Sequence, residues 1–184
     1  MNQAPTAPAF RDCIALGVTS SIAAYKAADL TSQLVQAGIA VHVVMTPNAT
    51  KLVHPQTFMT LSRHPVTVDL WQAPDWRPEH VSLAERIALL VVAPATANFL
   101  GKYAHGVADD ALTTLALSHS GPVLVAPAMN PRMWRHPAVR ENVRILRERG
   151  VAFVGPERGR VACGEETEAG RMASVESVRR AVEA

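Results

Sequence analysis

Hydroxyl and amide side chains gather where apolar runs end. Thr19, Ser20 and Ser21 follow the run Cys13 to Val18, and Thr46 and Asn48 follow Val41 to Met45. Thr96 and Asn98 follow Leu89 to Ala93, and Asn130 follows Val123 to Ala126. The free N–H groups at the start of a helix attract an anion and nearby hydroxyls add donors, so "GVTSSIAAYK" is a candidate phosphate turn. Ordinary capping by the same residues is the competing reading. A mononucleotide, phosphate at one end and ring at the other, fits a crevice lined by these four ends, though nothing in them chooses among mononucleotides. Asn130 before Pro131 also reads as a helix cap followed by a proline at the first helical position. Met129 and Met133 read as flexible packing around a ring or substrate, and Trp134 as structural core. Cys163 stands between Ala162 and Gly164 near Arg158 and Arg160; an inert small residue is one reading, as most cysteines are, a thiol whose thiolate the arginines would favour is the other, and the residues do not decide its resting protonation.

The elements that must carry these residues are legible as hydrophobic patterns. The four apolar runs read as strands buried on both faces, as parallel sheets require. Between the first two, Ala23, Ala27, Leu30, Leu34 and Ala37 make a helical stripe that Gly38 ends. A second helix is expected over Pro137 to Arg149, with Val139, Val143 and Leu146 on one face, and residues 48 to 62 and 96 to 118 read as largely helical. Strands alternating with helices imply right-handed crossovers. The expected fold is a single-domain α/β, doubly wound parallel sheet of the Rossmann/flavodoxin-like kind, with helices on both faces. Ligands of such sheets lie outside the carboxyl ends of the strands, where all four polar stretches converge. No Walker loop and no G-x-G-x-x-G run is present, which argues against an ordinary dinucleotide site.

Composition narrows the classes. A chain of 184 residues, 48% hydrophobic and 18% charged, suits one domain with a full core. Its formal charge of +2 is scattered, so the pI of about 8.8 gives little support to nucleic-acid binding. Cys13 and Cys163 are not at metal-ligand spacing, and no metal site or disulfide framework is expected. "MNQAPTAPAF" lacks the order of a signal peptide, and no apolar run reaches the ~18 residues of a membrane helix. The expectation is a cytoplasmic protein with a disordered lead-in over residues 1–11 and one domain over 12–184.

Three separated motifs in one order narrow the reading further. "PAMNPRMW" (Pro127 to Trp134) resembles the PxMNxxMW signature of the FMN-dependent cysteine decarboxylase family. "HVSLA" (His80 to Ala84) and the following "LLVVAPATANFLGKYAHGVADD" resemble that family's histidine motif and flavin-binding stretch. "RVACGEETEAGRM" (Arg160 to Met172) resembles the cysteine-bearing flap of its phosphopantothenoylcysteine decarboxylases. The likeness runs from about Cys13 to Met172. It implies FMN, with Ser20 and Ser21 at the phosphate turn and Thr46 and Asn48 at the second strand end. Thr96, Ala97, Asn98 and Phe99 would lie alongside the flavin, with Ala128 a backbone contact. One departure is visible: Ser20 occupies a place that is commonly glycine, and a serine would be strained there if that position needed a positive φ.

The resemblance also implies the chemistry. Loss of CO₂ from a cysteine carboxylate leaves a carbanion without an electron sink, and oxidation of the thiol carbon first supplies one. His80 would help deprotonate the substrate, as neutral imidazole can near pH 7; otherwise it is an ordinary surface-loop histidine. Asn130, with Met133 beside it, would hold the substrate carboxylate, and Cys163 would deliver the final proton from a flap whose glycines at 155, 159, 164 and 170 suit lid motion. The implied reaction is conversion of 4'-phosphopantothenoylcysteine to 4'-phosphopantetheine in coenzyme A biosynthesis. The alternatives are decarboxylation of a peptide's C-terminal cysteine to an enethiol, a non-catalytic flavin-binding regulator and, more weakly, a flavin prenyltransferase. The family's members form homotrimers, sometimes dodecamers, with no nucleic-acid or membrane partner implied.

Overall fold

The computed structural model describes residues 13–72, 79–159 and 168–184, with Gln72, Glu79 and His80 described by backbone alone. The proposed lead-in, and Cys163 with most of its flap, therefore lie outside the described residues.

Five parallel strands form the central sheet: β1 (Cys13–Val18), β2 (Ala40–Met45), β3 (Leu89–Ala95), β4 (Val123–Pro127) and β5 (Ala152–Phe153), in the order β2-β1-β3-β4-β5. Side chains alternate across it. Ile14, Leu16 and Val18 of β1 pack on one layer, formed by α1 (Ala24–Gln36), α2 (Pro55–Ser62) and α8 (Val175–Glu183). Cys13 and Ala15 face the other, formed by α3 (Glu79–Arg86), α4 (Ala97–His105), α5 (Ala111–Ser118) and α7 (Pro137–Glu148). Leu16, Leu90 and Leu112 are wholly buried, and each such side chain contributes roughly 1.5–3 kcal/mol by leaving water. Gly17 lets α5 approach: a Cβ there would stand 2.5 Å from Leu112 Cδ1.

The expected stretches are divided by local chemistry. Residues 48–62 split into a 3-10 turn (Ala49–Lys51) and α2, because His54 caps α2 through its ring, accepting from the Gln56 N–H, with Pro55 following. Residues 96–118 split where Gly106 takes a left-handed conformation (φ 72°) and Asp110 opens α5 with a reciprocal capping box to Thr113. The short α6 (Pro131–Arg135) precedes α7. A small antiparallel pair, β6 (Glu157–Arg158) and β7 (Ala169–Arg171), stands apart from the main sheet and packs on α6.

On β2, the His42 ring lies against that of His64, 4.4 Å between centroids and tilted by 50°. Burial, then the His64 and Arg86 charges, hold the His42 imidazole neutral, with its pKa pushed down to about 4. The unfolded chain takes up this proton below about pH 6.5 and the folded chain does not until about pH 4. Stability contributed by neutral His42 is therefore lost as pH falls through that window. Urea midpoints taken at intervals from pH 7 to 4 should fall, and His42→Val should make the fall shallower. An unchanged slope would remove His42 as its source.

Candidate functional site

The strand order reverses between β1 and β3, and outside this switch point lies a cavity of about 590 Å³. Ser20, Ser21, Ile22, Ala23, Tyr25 and Lys26 line it from the loop after β1 and the start of α1. Thr96, Ala97 and Asn98 line it from the end of β3, and Ala128, Met129, Asn130 and Met133 from the end of β4. Gly170, Arg171 and Met172 close one wall from β7. Sequence-predicted residues from three separate strand ends thus meet in one place.

One hydroxyl ties two of these ends together. Thr19 is buried; its Oγ1 donates to the Pro94 carbonyl at 2.8 Å and accepts from the Thr96 N–H at 3.0 Å. Thr96 in turn caps α4, its hydroxyl accepting from the Phe99 N–H. The Ser21 hydroxyl accepts from the Ala23 N–H at 3.3 Å, while the N–H groups of Ser20 and Ile22 have no acceptor among the described residues. These free donors at the head of a 13-residue helix, with no acidic residue in its first turn, make an anion cradle. Ser20 adopts no positive φ, so serine in the glycine's place is unstrained.

Asn130 caps α6, and its chemistry is divided between two atoms. Its Oδ1 accepts from the Arg132 N–H at 2.8 Å, and the Nδ2 hydrogens of this cavity-lining residue have no acceptor among the described residues. Ala97 and Ala128 offer small side chains against which a flat ring can lie close to backbone. The volume falls within the usual ~300–1,000 Å³ of small-molecule sites. Among the described residues no carboxylate lines it, and two cations, Lys26 and Arg171, do. A phosphate-bearing flat cofactor therefore fits the residues present.

Other predicted positions lie elsewhere. Phe99 is buried in the core, its ring stacked on Tyr103 at 5.7 Å. Asn48 is exposed and its Oδ1 accepts from Lys51 Nζ. Thr46 directly follows β2 with its backbone N–H on the Val18 carbonyl; its Oγ1 is buried without a hydrogen-bond partner among the described residues. Pro47 and Thr50 line a second cavity of about 640 Å³, but Asp69, Asp109 and Asp110 make it hostile to an anion. Trp134 packs against the core. His80 falls at the start of α3, with its side chain outside the described residues, as is Cys163.

The sequence reading passed over Ile22, Tyr25, Lys26, Arg171 and Met172 as cavity residues. A readable sign existed for three of them. Ile22, in the turn before α1, and Tyr25 and Lys26, in its first turn, are two large apolar residues and a cation lying outside the apolar stripe that starts there.

Doubly wound sheets of this strand order hold a phosphate-bearing ligand at such a switch point, and this site is built as one. The Flavoprotein family model matches residues 6–184, and the chain belongs to that family. It is 47% identical over 154 residues to the coenzyme A biosynthesis bifunctional protein CoaBC of Bacillus subtilis (strain 168), covering 82% of this chain and 37% of that protein. The chain thus spans well under half of that relative's length. Among solved structures it is similar to the FMN-dependent cysteine decarboxylase SpaF, with TM-score 0.82, 31% identity, and 95% and 97% of the two chains covered. It is also similar to a cysteine-to-serine mutant of PPC decarboxylase complexed with pantothenoylaminoethenethiol, with TM-score 0.84, 27% identity, and 94% and 97% covered.

Proposed function

We propose that this chain is an FMN-dependent carboxy-lyase that converts 4'-phosphopantothenoylcysteine to 4'-phosphopantetheine, a step of coenzyme A biosynthesis. The observation that carries the reading is the anion cradle at the β1/β3 switch point, sharing one cavity with the free amide donor of Asn130. Similarity to CoaBC and to the two decarboxylase structures supports it.

Ser20, Ser21 and the N–H groups at the head of α1 would hold the FMN phosphate, and Thr96, Ala97, Asn98 and Ala128 would flank the ring. When bound, FMN supplies two-electron redox chemistry at the substrate's thiol-bearing carbon. Asn130 Nδ2 donates to the substrate carboxylate, orienting it without the tight ion pair that would hold back CO₂. Met133 packs beside it. His80 and Cys163 are assigned the proton transfers, base first and acid last. Ile22, Tyr25 and Met133 leave apolar surface at the cavity mouth, and a second copy of the chain in a homo-oligomer, a trimer in this reading, covers it. No helix among the described residues is long and apolar enough to cross a membrane, and the reading places the protein in the cytoplasm as one domain over residues 12–184.

Thr46 tests the cofactor assignment through stability. Burying a hydroxyl without a partner costs roughly 1–3 kcal/mol, so Thr46→Val should raise the thermal midpoint of flavin-free protein. If Thr46 also serves FMN, the same variant should bind FMN more weakly in a fluorescence titration. A variant stabilised with unaltered FMN affinity removes Thr46 from the cofactor site.

The function itself is tested by product mass. FMN-loaded protein is given 4'-phosphopantothenoylcysteine and, separately, a peptide ending in cysteine. Loss of CO₂ alone from the first is the expected result. Loss of CO₂ and two hydrogens from the peptide, with the first compound untouched, would replace this substrate with a peptide. Flavin-loaded protein that releases CO₂ from neither overturns the enzyme reading.

A further inference from the structure

The cavity holds two cationic side chains, Lys26 and Arg171, that neither the α1 anion cradle nor the Asn130 amide uses. Lys26 sits on the first turn of α1, half-buried, with its Nζ donating to the Met172 carbonyl at 3.5 Å. Arg171 ends β7, with its guanidinium 3.2 Å from a Glu157 oxygen. The other oxygen of Glu157 accepts the Ser174 N–H at 3.1 Å, so the carboxylate is anchored at the foot of α8 and does not line the cavity. Lys26 is held below the ordinary lysine range by burial first and by the Arg171 charge second, with Glu157 opposing. Among the described residues these two cations share one carboxylate, already committed elsewhere, and they repel each other until an anion joins them.

We infer that Lys26 and Arg171 form the subsite for a phosphomonoester at the far end of the substrate, and so set its class as phosphorylated pantothenoyl compounds rather than peptides. The inference rests on the function proposed above and deepens it. The head of α1 supplies neutral donors, backbone N–H groups and hydroxyls, which suffice for a cofactor phosphate. Lys26 reaches from α1 to the Met172 carbonyl beside β7, and Arg171 stands on β7 itself. The wall made by β7 is continuous with the carboxylate end, because Gly170 packs against Met129 and Pro131. A substrate seated by its carboxylate at Asn130 can therefore extend along β7 toward the two cations. A phosphomonoester carries about −1.5 to −2 charge at pH 7 and three acceptor oxygens, matching a guanidinium fork and an ammonium. A peptide backbone offers no such charge.

The test compares affinities by calorimetry on FMN-loaded protein, using 4'-phosphopantothenoylcysteine and pantothenoylcysteine, which lacks the phosphate. Each charge-assisted contact is worth about tenfold. The natural protein should prefer the phosphorylated compound by about a hundredfold, and Lys26→Gln with Arg171→Gln should bring the two affinities to within a few fold. Lys26→Arg, which keeps the charge, should retain most of the preference. A natural protein without preference overturns the subsite, as does a double variant that keeps the preference. A double variant that loses FMN instead would assign the cations to the cofactor, and so also overturns it. Release of CO₂, followed in the same samples, reports on the decarboxylase reading separately. Phosphate preference without CO₂ sinks that reading and leaves the subsite standing, whereas CO₂ without preference does the reverse.

Discussion

Asn130→Asp should fold as the natural protein does and lose nearly all turnover. Aspartate and asparagine are equally good helix caps, and the substituted carboxylate can still accept the Arg132 N–H that Oδ1 accepts now. The thermal midpoint and the flavin spectrum should therefore be unaltered. What changes is the other atom of the amide. Under the proposed function, a donor to the substrate carboxylate becomes an acceptor bearing like charge. Loss of a hydrogen bond to a charged group costs about 1.5–3 kcal/mol, and the repulsion between two carboxylates adds to it. A fall in kcat/KM of roughly a thousandfold or more is expected, since each ~1.4 kcal/mol is a factor of ten. Steady-state CO₂ release with a parallel melt decides the matter. A variant within tenfold of the natural protein would falsify a substrate role and leave Asn130 a cap alone.

Gly170→Ala should damage stability and catalysis together. A Cβ at this position would lie 2.6 Å from the Met129 carbonyl oxygen, 2.9 Å from the Pro131 nitrogen and 3.0 Å from its ring. None of these atoms sits on a side chain that can swing aside. The same residue's carbonyl accepts the Met129 N–H at 2.9 Å, so β7 cannot back away without breaking that bond. Overpacking of this kind costs typically ~1–3 kcal/mol, which for a chain of this size lowers the melting midpoint by roughly 2–4 °C per kcal/mol. The displacement separates Arg171 from Asn130, and a misplacement of about 1 Å can cost a hundredfold in rate. FMN should stay bound, because the head of α1 is untouched. Natural activity at the natural melting temperature would show that β7 is free to shift.

The contrast between α1 and β7 shows what could be read beforehand. The strands β1 to β4 and helices α1 and α7 announce themselves, because burial on two faces demands unbroken apolar runs and burial on one demands a stripe. The interruption at residues 106–110 was also written, in Gly106 and in Asp110 followed three residues later by Thr113, but a long apolar stretch masked it. By contrast β5, β6 and β7 are two or three residues long and mixed in polarity, too short for any period to appear. Strand order is not a local property, so the reversal between β1 and β3 that creates the crevice is absent from any single window. For the same reason Ser20, Thr96 and Asn130 were legible as polar strand ends, whereas Lys26 and Arg171 meet only through the packing of β7 on α6.

The bond made by Thr19 has a consequence for how a ligand is received. Its hydroxyl fixes the distance between the ends of β1 and β3 through interactions wholly internal to the protein. The entropy of holding those two loops together is lost when the chain folds, and none of it falls due again on binding. The floor of the crevice is thus rigid in advance. Flavin should raise the melting temperature through mass action on the folded state alone, and amide exchange at Thr19 and Thr96 should be as slow in the empty protein as in the loaded one.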